Sequence, residues 1–273
     1  MLWLLLLQVW ASCLWLGHSE VVPSFANSCP QFFYQNTPPN NVLQPANPAW
    51  ICQRFNNRYH FATLYDSRRR IPVYSAYIYQ PGPGCRSQDW MVEPQLINSN
   101  LPKEMKTESD LITNYKVKLQ QIRQSQAVFH DYTGLKTLNR GHLNPCGHHN
   151  TPDSRNATFT LTNIVPQDKT LNGGAWNNYE QQTMAQNAIG CVRTYVIVGA
   201  VPGNTFIANR RVNVPSYIWS SACCQTNTGM KAWGAIAANN QNQVTVLKLG
   251  QLEAQLTQLY KGPVVLFDSN CPR

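Results

Sequence analysis

The chain has 273 residues, of which 43% are hydrophobic and only 13% charged. That composition can bury a sizeable core, and it excludes disordered, collagen-like and coiled-coil chains. The charges are unbalanced: 22 Lys and Arg against 13 Asp and Glu leave a formal net charge of +9, which favours polyanionic partners such as nucleic acid, heparin-like sugars or anionic lipid.

Residues 1–16 are an uncharged apolar run, followed by the small and polar Gly17, His18 and Ser19. This is the pattern of a secretory leader. The run is shorter than the ~20 residues of a membrane span. The expectation is a signal peptide over 1–19, a single domain over 20–273, a secreted product and no membrane anchor. Outside the leader lie Cys29, Cys52, Cys85, Cys146, Cys191, Cys223, Cys224 and Cys271. An even set in an oxidising compartment points to disulfides, and its pairing stays open. Cys223 and Cys224 are adjacent and are expected to reach different partners. Asn156, in Asn-Ala-Thr, is a glycosylation acceptor.

Residues 36–50 are rich in Pro and Asn and read as a loop. Residues 61–65 and 71–79 are rich in β-branched and aromatic residues around a polar turn, so they read as a hairpin that ends at Pro81-Gly82-Pro83-Gly84. Residues 104–128 read as mostly helical, 157–165 as a strand and 172–189 as a helix. Segments 194–198, 217–219 and 244–247 read as buried strands, and 249–260 as a final helix. Strands outnumber helices without strict βαβ alternation. The fold class expected is α+β, with a mainly antiparallel central sheet flanked by helices.

The densest cluster of chemically capable side chains spans 139–180. His142 can act as a general base near neutral pH, since an unperturbed imidazole has a pKa of about 6.5. Arg140 can grip a phosphate through two donors. Gly141 lets the backbone approach a neighbour closely. Asn172 and Glu180 fall about 80° apart around a helix, two turns along one broad face. An amide oxygen and a carboxylate there suit a hard cation such as Mg²⁺. Base, cation and arginine are the parts that phosphodiester cleavage needs. The plainer reading is open beside it: Asn172 as a helix N-cap, Glu180 as a solvated charge, His142 and Arg140 as loop surface. A zinc reading of His142, Cys146, His148 and His149 is a further rival, although their spacing fits no common zinc pattern.

The ordered runs Arg140-Gly-His-Leu-x-Pro145, Ala157-Thr-Phe-x-Leu-Thr-Asn-x-x-Pro-Gln167 and Asn172-x-x-x-Trp-x-x-x-Glu180 resemble the DNA/RNA non-specific endonuclease family, nucleases with the ββα-metal (His-Me finger) site. The resemblance covers about residues 50–260. It implies a ββα-metal motif, DNA and RNA as substrates, and Mg²⁺ or Mn²⁺ as cofactor. It implies His142 as the base that activates water, and Asn172 as the direct protein ligand of the metal. Glu180 becomes the acid that holds a water of the metal's shell. Asn163 becomes an orienter or phosphate contact, Arg140 the arginine near the phosphate, and Arg86 the arginine that stabilises the transition state, with Arg68, Arg69 and Arg70 as its rivals. The family's Asp-Arg-Gly-His becomes Asn139-Arg-Gly-His here, which removes a negative charge. The alternative expectation is therefore a weak or inactive basic nucleic-acid-binding protein on the same fold.

Overall fold

A computed structural model describes residues 20–85 and 89–273. The expected leader, 1–19, and Arg86 lie outside the described residues. The centre is an eight-stranded sheet. In spatial order its strands are Val21–Val22, Pro48–Phe55, Arg58–Asp66, Ile71–Ile78, Cys191–Val201, Tyr217–Thr226, Met230–Ala238 and Thr245–Leu247. Every neighbouring pair is antiparallel. Spatial order follows chain order, so the sheet is a meander. Residues 79–190 leave it after the fourth strand and return at the fifth, and they carry the whole candidate site.

Both faces of the sheet are covered. Side chains alternate between faces along a strand. Val196, Val198 and Ala200 therefore point to one core with Leu143, Ile164, Leu171 and Trp176 of the insertion. Tyr195, Ile197 and Val201 point to the other, with Phe25, Phe33 and the helix Leu249–Tyr260. The same alternation settles the disulfides. Cys223 faces the second core and bonds Cys271, while Cys224 faces the first and bonds Cys191. Cys29 pairs with Cys52, and Cys85 with Cys146.

The mixed fold with its large antiparallel sheet is as expected, but several segments differ. The loop expected over 36–50 gives way to a strand at Pro48, a tolerated residue at a strand start. Residues 104–128 form two short helices, Glu108–Tyr115 and Leu119–Ser125. The strand expected over 157–165 begins only at Ile164. Before it, Leu161–Asn163 form a 3₁₀ turn, and the Thr160 and Thr162 hydroxyls donate to Glu93 from a distant part of the chain. Residues 245–247 are an exposed edge rather than a buried strand, with Val246 49% exposed, because only Met230–Ala238 flanks them. That flanking strand, dominated by Ala and Gly, lacks the β-branched signature that would announce it.

Candidate active site

The insertion holds a two-stranded hairpin, Leu138–His142 paired with Ile164–Asp168. The register sets Asn139 opposite Gln167, Arg140 opposite Pro166 and His142 opposite Ile164. With a period of two, Arg140 and His142 share one face, and Asn139, Gly141 and Gln167 share the other. Gly141 is required by close approach: a Cβ there would lie 2.2 Å from Gln167 Oε1. Gln167 is fully buried, and neither atom of its amide has a hydrogen-bond partner among the described residues.

The His142 ring is half-buried between two aromatic side chains. Its centroid lies 5.6 Å from that of Trp90 and 5.0 Å from that of Phe159, which meets it edge-on. Its Nε2 is buried and has no partner among the described residues. Loss of hydration disfavours the imidazolium and lowers the His142 pKa to about 4, so the ring is a neutral base across the physiological range. The Arg140 guanidinium lies 4.5 Å over the Phe129 ring, 5.3 Å from Trp90 and 5.9 Å from Tyr132, a set of cation–π contacts. One nitrogen donates to Phe129 O at 3.4 Å.

Asn163 sits directly behind this face and is fully buried. Its Oδ1 accepts from Ser75 Oγ at 2.8 Å and from the Asn144 N–H at 3.0 Å. Its Nδ2 donates to Asn144 O at 2.9 Å and Thr158 O at 3.0 Å. All its bonds are internal, and they lock the loop after His142 onto the sheet and the second hairpin strand.

Asp168 ends that strand and caps the next helix, accepting from the Thr170 and Leu171 N–H groups at 2.9 and 3.0 Å. The helix thus starts at Lys169 rather than Asn172. Asn172 is not the N-cap but lies near the end of Lys169–Gly173, half-buried. The chain then breaks at Gly174, where a Cβ would lie 2.4 Å from Thr170 O. It continues through Ala175–Asn178 into a π-helical turn, Tyr179–Thr183, that carries Glu180. Wide turns of this kind are frequent at functional sites. The helix packs on both hairpin strands, completing a ββα unit.

His148 ties the far end of the unit. Its Nε2 donates to Glu180 O at 2.9 Å, so Nδ1 is the acceptor of the Tyr77 hydroxyl at 2.8 Å. Burial lowers the His148 pKa to about 4. The zinc reading fails here. Cys146 is in a disulfide, His148 is used at both nitrogens, and His149 Nε2 bonds Asn144 Oδ1 at 2.7 Å.

The Glu180 carboxyl is pushed up to about 8 by burial, and the Trp176 indole N–H offsets part of the rise. It forms no ion pair with a described cation. No group of three or more His, Cys, Asp or Glu side chains gathers among the described residues. The donors on the helix are an amide oxygen and one carboxylate short of counter-charge. Such a sparse, all-oxygen set fits a cation that keeps most of its water, as Mg²⁺ does.

Of the residues singled out in the sequence, the structure brings His142 and Arg140 together and sets Asn163 behind them. It hangs Asn172 and Glu180 on the helix that leaves the hairpin. Arg69 is held by Asp66 and Arg70 by Arg211 O, so two rivals to Arg86 have structural employment. Trp90, Phe129, Phe159 and Gln167 had no assigned role. Phe159 and Gln167 lie in the segments that carry the resemblance and Trp90 does not, but only the fold puts Trp90 and Phe159 against the imidazole and leaves Gln167 without a partner among the described residues.

The DNA/RNA non-specific endonuclease family model matches residues 38–273. The chain is 32% identical over 249 residues to the human endonuclease domain-containing 1 protein, and 29% identical over 250 to the mouse protein. Each match covers 89% of this chain and 47% of the relative, so the chain spans about half the length of these curated relatives. A chain of the crystal structure of the EndoG/EndoGI complex shares the fold, with a TM-score of 0.52 at 16% identity over 76% of this chain and 83% of that one. With its three motifs in order on one ββα unit, the chain belongs to the DNA/RNA non-specific endonuclease family.

Proposed function

We infer that the protein is a secreted, Mg²⁺-dependent endonuclease that hydrolyses DNA and RNA with little base preference. The observation that carries this reading is the His142 imidazole, held neutral between Trp90 and Phe159, with Nε2 lacking a partner among the described residues and Arg140 on the same strand face.

In the proposed reaction His142 Nε2 takes a proton from a water that attacks phosphorus in line, and the bond to the 3′ oxygen breaks. Arg140, desolvated and steered by its aromatic neighbours, presents its remaining donors to the phosphate. Asn172 and Glu180 would hold the cation, which when bound offsets charge on the phosphate and the leaving oxygen. Asn163 acts as a positioning residue, because its amide is already spent on the loop that follows the base. Arg86 keeps its proposed role in supporting the transition state. Contacts of this kind reach the backbone and not base edges, so sequence preference is low.

The test is incubation with plasmid DNA and with RNA, in Mg²⁺ and in EDTA. Cleavage that needs Mg²⁺ and disappears in His142→Ala supports the reading, and unchanged turnover in that variant refutes it. Asn139 favours a second reading. It stands where the motif has Asp, opposite Gln167, whose amide has no partner among the described residues. Salt-sensitive binding without cleavage, restored to cleavage by Asn139→Asp, would identify a binder that has lost one charge.

A further inference from the structure

The rim of the candidate site carries an aromatic ring that the core does not absorb. Phe129 is 44% exposed, whereas Val128 and Tyr132 on either side are buried. A single exposed apolar side chain is ordinary on a protein surface. This one is held in place. It opens the 3₁₀ turn Phe129–Tyr132. Its N–H donates to Glu108 Oε1 at 2.6 Å, and its carbonyl accepts from Arg140. Asp131 of the same turn accepts from the Val128 N–H at 2.9 Å and from two nitrogens of Arg211 at 2.9 and 3.2 Å. The Tyr132 hydroxyl donates to Ile164 O at 3.2 Å, which ties the turn to the hairpin residue opposite His142. The ring therefore stands beside the hairpin on an anchored backbone while much of it remains in solvent.

Phe129 also ends a line of flat groups. The Arg140 guanidinium lies 4.5 Å over its ring and 5.3 Å from Trp90. The Trp90 ring lies 5.6 Å from that of His142, which Phe159 meets edge-on on its own side. The two groups assigned to the phosphate, Arg140 and His142, are thus interleaved with aromatic rings. Trp90 and Phe159 strip water from the imidazole, but seating Arg140 leaves a large part of Phe129 uncovered. Aromatic faces set among cationic groups are the chemistry that recognises unpaired bases, which stack on Phe, Tyr or Trp whatever their identity. A nucleotide whose phosphate Arg140 grips has its base one sugar away, within reach of the ring on which that guanidinium rests. In a duplex both faces of each base are covered by stacked neighbours, and freeing one costs stacking and pairing energy.

We propose that Phe129 is a base-stacking subsite and that single-stranded nucleic acid is the preferred substrate, an inference that rests on the endonuclease reading above. The base beside the scissile phosphate lies on the exposed part of the ring. The contact serves DNA and RNA alike, because every base has a flat face.

The experiment measures kcat/KM in Mg²⁺ on three substrates of one length: a DNA single strand, the same sequence as a duplex, and a single strand of abasic tetrahydrofuran phosphodiesters. The single strand should be cut at least tenfold better than the duplex. Phe129→Leu should lower cleavage of the base-carrying strand about tenfold or more beyond its effect on the abasic strand, and Phe129→Tyr should restore it. An equal loss on both strands overturns the proposal, because it reduces Phe129 to a seat for Arg140. Equal cleavage of single strand and duplex by the unaltered protein also overturns it, and leaves the endonuclease reading standing. If none of the three is cleaved, that reading fails and binding decides the proposal, through fluorescence anisotropy of the labelled strands in EDTA. Binding of the base-carrying strand that weakens at least tenfold in Phe129→Leu, with the abasic strand less affected, supports the subsite, and an unchanged affinity refutes it.

Discussion

At the scale of single residues, the environment of His142 makes the sharpest prediction. A base works deprotonated, and burial sets the imidazole pKa at about 4. The acid limb attributable to this group should therefore fall near pH 4 and not near 6.5, measured as kcat/KM for cleavage from pH 3.5 to 8. His142→Ala should lower turnover roughly a hundred- to ten-thousand-fold while leaving the melting temperature within a few degrees. Asn163 should behave in the opposite way. Asn163→Ala removes four internal hydrogen bonds from a fully buried amide and should cost about 3 kcal/mol of stability, read by denaturant unfolding, with activity lost in proportion to folded protein. The residue types at 142, 140 and 172 were legible as chemistry in the sequence. The neutrality of His142 was not, because it depends on Trp90 and Phe159, which lie far from it along the chain.

At the scale of elements, the ββα unit is held by contacts that sequence spacing indicates only partly. Asp168 rather than Asn172 caps the helix, and Gly174 divides it, so a continuous periodicity over 172–189 describes four successive helical segments, one of them a wider π turn. Gly141→Ala would drive a methyl group into Gln167 and should separate the hairpin strands, with a loss of about 1–3 kcal/mol and of activity together. The disulfide Cys85–Cys146 anchors the stretch before Trp90 to the turn after His142 and closes a separation of 61 residues. Replacing both cysteines by Ser should lower stability by about 4 kcal/mol if the chain-entropy account holds, as measured by unfolding in urea. Cys85 is exposed, whereas Cys29, Cys52, Cys223, Cys224 and Cys271 are fully buried, so mild reductant should open this bridge first.

At the scale of the whole molecule, a sheet covered on both faces makes stability depend on groups buried at neutral charge. His148 and His149 have pKa values lowered by burial to about 4 and about 3, against about 6.5 in an unfolded chain. Below pH 6.5 the unfolded state binds protons that the folded state refuses. Their contribution is complete above about pH 6.5 and is lost as pH falls toward 4 and then 3, so the urea midpoint should drop over that window. Tyr77→Phe, which removes a partner of His148, should reduce stability without moving that window to higher pH. The sequence by itself determined the fold class, the antiparallel character of the sheet, the number of cysteines available to pair and the order of the three chemical motifs. Those features rest on composition, local periodicity and short-range spacing, which a linear chain carries in full. Tertiary structure alone decided which cysteines meet, which face of the hairpin the imidazole takes, and what surrounds it. Each of these depends on contacts between residues distant in sequence, and burial, which sets the charge state of every group involved, exists only once the chain has folded.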